Sequence, residues 1–217
     1  MANYKKCLLC AVIFLYIIPY TLVLNTTVLA KEQDRLFWNE RYNVETYVYQ
    51  KEPADFLREH VDILPKGKAL DIAMGEGRNA VFLAKNGFEV EGCDISEVAI
   101  SKAYKLAEEN GVTIHAFTAD LETYKLPENT YDVIICFYYL QRDLIPQIKN
   151  ALKPGGVVVY ETYTLENLEH GFGGPKNREY LLGQNELLRF FIDFQVIFYR
   201  EIIINNKKVV ASIIARK

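Results

Sequence analysis

The chain has 217 residues, 50% of them hydrophobic and 24% charged, which is apolar material for one globular core and too little length for two ordinary domains. Its 25 basic and 28 acidic side chains give a formal net charge of -3, and the lysines and arginines are scattered among acids, so the electrostatic footprint of a nucleic-acid-binding protein is missing. The four cysteines, Cys7, Cys10, Cys93 and Cys136, lack zinc-ligand spacing, and neither a disulfide nor a metal centre is expected.

Two parts are expected, residues 1–30 and residues 31–217. Lys5 and Lys6 precede an 18-residue run without charge, Cys7 to Leu24, which has the layout of a signal peptide. Val28 and Ala30 are small enough to flank a cleavage site before Lys31, while Pro19 and the length also suit an uncleaved membrane anchor. Membrane association would then run through residues 7–24, where Cys7 and Cys10 read as membrane-buried thiols. The expected location is exported or anchored, or cytoplasmic if the start codon is misassigned.

Beyond Lys31, short β-branched runs alternate with amphipathic stretches, the pattern of a parallel sheet with helices on both faces. Pro53 to Leu64 reads as a helix, Lys68 to Ala73 as a strand, Arg78 to Asn86 as a helix stopped by Gly87, and Glu89 to Cys93 as a second strand. Ser96 is placed to cap a helix that runs to Asn110 and Gly111. Strands are predicted over Val112 to Phe117, Tyr131 to Phe137 and Gly156 to Tyr163, with a helix over Arg142 to Leu152 and a turn at Pro154-Gly155-Gly156. Thr164 to Gly183 carries Gly171, Gly173, Gly174 and Pro175 and reads as one irregular binding loop. Phe194 to Ile204 and Lys207 to Ala215 are strands joined by Asn205-Asn206, an antiparallel hairpin.

The strongest chemical signal is the run Asp71-Ile72-Ala73-Met74-Gly75-Glu76-Gly77-Arg78-Asn79-Ala80, a strand feeding a glycine turn and then a helix. Gly75 and Gly77 let a ligand approach the backbone. Taken alone, Gly75-x-Gly77-x-x-Ala80 also satisfies a dinucleotide fingerprint, with Asp94 where a ribose-binding acid belongs. Asp71 separates the two readings, because its charge would repel a pyrophosphate but can pair with the amino group of a methionine moiety. Asp94 can accept ribose hydroxyls, and Asp120 is placed to meet an adenine amino group. Each acid also has a plain structural use: Asp71 as a cap on the glycine turn, Asp94 on the helix at Ser96, Asp120 on a loop. Together, three acids closing three successive strands converge on the crevice where open α/β sheets bind ligands.

These pieces, with Trp38-Asn39-Glu40-Arg41-Tyr42, Tyr131-Asp132-x-Ile134 and Leu152-Lys153-Pro154-Gly155-Gly156, make the run from Trp38 to Lys217 resemble the class I S-adenosylmethionine-dependent methyltransferases. The resemblance is to the branch of tellurite-resistance and thiopurine methyltransferase-like proteins. It implies a Rossmann-like sheet of seven strands ending in an antiparallel hairpin, with S-adenosylmethionine as cofactor. The cofactor-binding set expected is Trp38, Tyr42, Asp71, Gly75, Gly77, Asp94, Ile95, Asp120, Leu121 and Phe137, Trp38 and Tyr42 belonging to a segment that folds over the cofactor.

Methyl transfer from a sulfonium is a direct displacement that needs alignment and exclusion of water more than acid/base machinery. Phe137, Tyr138 and Tyr139 follow the fourth strand, where aromatic faces would suit the sulfonium. Arg142, Glu161, Tyr163, His170 and Arg178 fall where such enzymes build the acceptor site. Arg142 and Arg178 would orient a metalloid oxyanion, whereas His170 or Tyr163 would help deprotonate a thiol. A small acceptor is expected, since the chain adds no second recognition domain. The alternatives are a non-catalytic binding or scaffolding module of the same fold and an NAD-dependent oxidoreductase. Asp71, Lys153-Pro154-Gly155-Gly156 and the terminal hairpin argue against the oxidoreductase.

Overall fold

The computed structural model describes residues 32–217. The hydrophobic run 7–24, Cys7, Cys10 and the cleavage-or-anchor reading of residues 1–30 lie outside the described residues; within them, no helix is long and apolar enough to cross a membrane. In chain order the elements are α1 (residues 32–42), α2 (Asp55–His60), β1 (Lys68–Ile72), α3 (Arg78–Lys85), β2 (Glu89–Asp94), α4 (Glu97–Glu109), β3 (His115–Thr118), β4 (Tyr131–Phe137), α5 (Ile145–Ala151), β5 (Leu152–Tyr163), α6 (Glu166–Glu169), α7 (Glu186–Phe190), β6 (Gln195–Ile204) and β7 (Lys208–Arg216). Short 3-10 turns follow α2 and precede α5 and α7.

All seven strands join one sheet in the order β3-β2-β1-β4-β5-β7-β6. The first five are parallel, and β7 runs antiparallel to both β5 and β6. Alternate residues of the central strands therefore feed two cores. Ala69, Val133, Ile135, Val157 and Val159 pack with Leu57, Leu83 and Leu106 of α2, α3 and α4, while Leu70, Ile72, Ile134, Val158 and Tyr160 pack with Ile148, Leu187 and Phe191 on the opposite face. Strand order reverses between β1 and β4, and a crevice opens at the carboxyl ends of strands at such a point. The expected sheet, with helices on both faces and a C-terminal antiparallel pair, is what the chain forms.

Helix ends follow the predicted signals. The Ser96 hydroxyl accepts from Ala99 N at 3.1 Å, and α3 and α4 close at Gly87 and Gly111 with the paired bonds of Schellman caps, Phe88 N to Leu83 O at 3.2 Å and Val112 N to Ala107 O at 3.0 Å. That second cap consumes Val112, which is why β3 starts at His115 instead of Val112. Pro154-Gly155-Gly156 lies inside β5 instead of preceding it. The strand begins at Leu152 opposite Tyr131, shifts register, and is held at its glycines by Gly155 N to Lys217 O at 3.0 Å and Lys217 N to Gly156 O at 2.9 Å.

The segment from Thr164 to Gly183 is also more ordered than an irregular loop. It holds α6 and a 3-10 turn, and a bridge between Thr164 and Leu182 closes its ends. Fully buried Asn167 fastens it, donating to Gly173 O at 2.8 Å and accepting from Val209 N at 2.9 Å.

Candidate functional site

Between β1 and α3 the chain passes through three left-handed residues, Ala73 (φ 51), Gly75 (φ 55) and Gly77 (φ 83). This tight turn brings the N–H of Gly75 back onto Asp94 Oδ2 at 2.8 Å. Gly77 has no room for a side chain, since a Cβ there would stand 2.6 Å from that of Ala103, so α3 packs directly on α4.

Asp71 is 1% exposed. It accepts a backbone bond from Ala80, and burial pushes its carboxyl up to about 8 against the field of Arg78. Its Oδ2 is buried without a hydrogen-bond partner, an arrangement that costs free energy until a donor arrives. Asp94 accepts from Ser96 N at 2.9 Å and from Gly75, and burial raises it to about 6 against these backbone bonds. Its oxygens keep acceptor capacity for hydroxyl groups. Asp120 behaves as its plain reading foresaw, accepting from Glu122 N at 2.9 Å and from the Thr123 hydroxyl at 3.2 Å. Ile95 is half-buried beside Asp94; Leu121 and Phe137 are buried in opposite cores. An orphaned acid, a carboxylate aimed by a glycine turn and a backbone cradle fit an ammonium and a ribose.

A cover lies over this turn. Trp38 stacks on Tyr42 with ring centroids 5.7 Å apart, and the Tyr42 hydroxyl stands 2.9 Å from where a Cβ on Gly75 would be. Tyr42 is 5% exposed, so the cradle is closed. An open groove of about 430 Å³ runs between residues 42–47 and α4, lined by Tyr42 but by none of the three acids. Asn39 accepts from the Ser96 hydroxyl at 2.7 Å, docking α1 on the start of α4.

Sequence reasoning missed Glu76 and Lys102. Glu76 accepts from Val48 N at 2.8 Å and Tyr49 N at 3.3 Å and faces the Lys102 ammonium at 2.5 Å. Lys102 also donates to the carbonyls of Tyr42, Val44 and Thr46 at 3.2, 3.0 and 2.8 Å. Arg78 donates to Tyr49 O at 3.2 Å, and Asn79 accepts from Ala54 N at 2.9 Å. The polar residues of the glycine turn thus tie down residues 42–54; the available signal was a carboxylate set between two glycines of a turn that must be buried.

The expected acceptor residues are not brought together. Arg142 spends its guanidinium on Glu186 at 2.7 and 3.0 Å and on the carbonyls of Glu179 and Leu181, which pins the segment before α7. His170 lies on the surface, stacked on Phe172 and 3.4 Å from Glu166, and Arg178 starts an exposed 3-10 turn. Tyr163 lies against Tyr138, ring centroids 5.4 Å apart, within the fields of Arg78 of the glycine turn and of Glu161, and Glu161 is buried beside them. Of the three aromatics at the end of β4, Phe137 is the strand's last residue and belongs to the core, and Tyr139 packs on the opposite face, which leaves Tyr138.

Residues 69–156 match the methyltransferase domain family. A Haemophilus influenzae protein named probable S-adenosyl-L-methionine-dependent methyltransferase TehB is 27% identical over 143 residues, 64% of this chain and 50% of the relative. Hemagglutinin 1 of Eikenella corrodens is 26% identical over 152 residues, 67% and 49% of the two chains. The ubiquinone biosynthesis O-methyltransferase of Coxiella burnetii is 34% identical over 122 residues, 49% and 52%. The chain thus spans about half the length of these relatives. In fold it is similar to the crystal structure of Haemophilus influenzae TehB, with a TM-score of 0.64 at 21% identity over 84% of this chain and 66% of that one. It is also similar to an S-adenosylmethionine-dependent methyltransferase from Mesorhizobium loti, with a TM-score of 0.62 at 18% identity over 76% and 98%. In its glycine turn, acids and strand order the chain is thus similar to the class I S-adenosylmethionine-dependent methyltransferases, TehB among them, and residues 69–156 form its methyltransferase domain match.

Proposed function

We propose that this protein transfers the methyl group of S-adenosylmethionine to a small acceptor, a metalloid oxyanion or a thiol. The observation that carries the reading is Asp71 Oδ2, a buried acceptor with no donor at the glycine turn. Asp71 would take the ammonium of the methionine moiety, Asp94 the ribose hydroxyls and Asp120 the adenine amino group, with Ile95, Leu121 and Phe137 giving apolar contact. Gly75 would let the ligand touch the backbone, while Gly77 lets α3 pack on α4 beneath it. When bound, the cofactor supplies a methyl group on a positively charged sulfur. The chain's own part is to orient that methyl and to shut water out, for which Trp38 and Tyr42 close over the turn. Tyr138 and Tyr163, packed together beside Arg78 of the turn, would wall the acceptor's approach.

Calorimetric titration of the full chain with S-adenosylmethionine and S-adenosylhomocysteine, beside an Asp94→Ala variant, tests the first half. Micromolar binding is expected, weakened at least about tenfold by the substitution, because charge-assisted hydrogen bonds contribute about 1.5–3 kcal/mol each. Formation of S-adenosylhomocysteine with tellurite, selenite or small thiols then tests turnover. Failure of both ligands to bind at millimolar concentration would remove the basis for the cofactor.

A further inference from the structure

Behind the cofactor turn lies a second polar cluster, centred on Tyr138. This residue follows β4 in a left-handed conformation, φ 61, which bulky side chains avoid and functional sites tolerate. Its N–H donates to Glu161 O at 2.8 Å, fixing the backbone. Two cations lie over the ring: Lys208 Nζ is 4.5 Å and the Arg78 guanidinium 5.7 Å from its centroid. The hydroxyl donates to Glu161 Oε1 at 2.8 Å and accepts from Lys208 Nζ.

The charges around this ring do not balance. Glu161 is 1% exposed, and its other oxygen accepts from the Ser212 hydroxyl at 2.8 Å and pairs with Arg200 at 3.6 Å. Asp55, whose field also reaches Lys208, is bonded to Arg58 at 2.6 Å. Asp71, whose field reaches Arg78, is the acid assigned above to the cofactor's ammonium. Among the described residues, neither Arg78 nor Lys208 forms an ion pair of its own. Lys208 is half-buried at the start of β7, and an ammonium has three N–H groups, of which Tyr138 uses one. Two cations on one aromatic platform, with the local carboxylate already engaged, make a place for an anion.

We propose that Lys208 is a specificity-determining residue that binds the negatively charged group of the methyl acceptor, between itself and Arg78, against Tyr138 and Tyr163. Glu161 orients Tyr138 and so acts as a positioning residue. The role rests on the methyltransferase reading, and it deepens that reading by selecting anionic acceptors over neutral thiols.

The test is calorimetry on the full chain saturated with S-adenosylhomocysteine, titrated with selenite, with 3-mercaptopropionate and with neutral 2-mercaptoethanol. Both anions are expected to bind at least tenfold more tightly than the neutral thiol. Lys208→Gln should erase that preference and leave the affinity for S-adenosylhomocysteine unchanged, and Lys208→Arg should restore most of it. Equal binding of charged and neutral probes, or anion binding that survives Lys208→Gln, overturns the proposal. So does absence of anion binding in a chain that binds S-adenosylhomocysteine, and that outcome spares the cofactor assignment. If S-adenosylhomocysteine itself fails to bind, the cofactor assignment falls, and the same anion titrations on the ligand-free chain still decide whether Lys208 holds an anion site. A misfolded Lys208→Gln shows in its thermal unfolding, and the Lys208→Arg comparison and the charged-against-neutral contrast in the wild type then carry the decision.

Discussion

Asp71→Asn is expected to make the protein more stable and a poorer binder. In the folded chain burial holds the Asp71 carboxyl up to about 8, whereas an unfolded aspartate titrates near about 3.9. A folded value raised above the unfolded one means stability that is fully present below about pH 4 and is lost as pH rises through about 8. At about 1.36 kcal/mol per unit, retaining the proton costs at most about 1.5 kcal/mol at pH 5 and about 4 kcal/mol at pH 7. Asparagine imitates the protonated acid: its oxygen can still accept from Ala80, and it carries no charge to desolvate. The variant's advantage should therefore grow by up to about 2–3 kcal/mol between pH 5 and pH 7. For a chain of this size that widens the melting-temperature gap by several degrees, at about 2–4 °C per kcal/mol. Loss of the carboxylate partner should weaken S-adenosylhomocysteine about tenfold to a hundredfold, the worth of one buried charge-assisted bond. Thermal unfolding across pH, read with calorimetry, checks both halves. A variant destabilised by the same amount at every pH, or one that binds like the wild type, would refute the reasoning.

The same titration makes cofactor binding a proton-linked event. At pH 7 binding should expel close to one proton as Asp71 ionises against the ligand's ammonium, so the heat should vary with the buffer's ionisation enthalpy and affinity should rise between about pH 6 and pH 8; a buffer-independent heat contradicts this. Lys102→Met leaves the buried carboxylate of Glu76 without its cation and should cost about 3–5 kcal/mol in denaturant unfolding. Adding Glu76→Gln should recover part of that loss, and purely additive effects would deny the coupling. Gly77→Ala places a methyl 2.6 Å from Ala103 at φ 83, and should lose about 1–2 kcal/mol to the left-handed backbone with about 1–3 kcal/mol more from overpacking. An unchanged unfolding midpoint would show that α3 and α4 can move apart.

Sequence reasoning reached furthest where one residue type has one local use. Ser96, Gly87 and Gly111 announced helix ends because capping is decided within a few residues, and Asp71 and Asp94 were legible because strand-end acids beside a glycine turn can hardly serve the core. It stopped where long-range contacts decide. Gly155 and Gly156 read as a turn until the chain's own terminus, Lys217, pairs with them. Residues 164–183 read as a loop because the device that orders them, Asn167 bonded to Val209, spans 42 positions. Arg142 looked like an acceptor ligand, but its guanidinium is consumed by Glu186, 44 residues on. Lys208 looked like any residue after a hairpin turn, and only the strand order brings it to Tyr138.

Cofactor turn and cover also cannot be considered apart. Glu76 and Arg78 belong to the five-residue stretch that would touch a ligand, and they hold Val48, Tyr49 and Glu52 by backbone bonds. Peeling residues 43–49 away would take both backbone donors, Val48 N and Tyr49 N, from the buried Glu76 carboxylate and two of the three carbonyls from Lys102, and unmet bonds to buried charged groups cost about 1.5–3 kcal/mol each. Tyr42, by contrast, blocks the cradle with one hydroxyl near Gly75 and a ring stacked on Trp38, and the α1 residues Leu36 and Phe37 remain more than half exposed. Swinging α1 and the Trp38–Tyr42 stack would break the bonds of Asn39 to Ser96 and Glu97 and one carbonyl contact of Lys102 but would leave Glu76 all its partners, so it is the cheaper opening, with residues 43–49 kept as the fixed wall of the site.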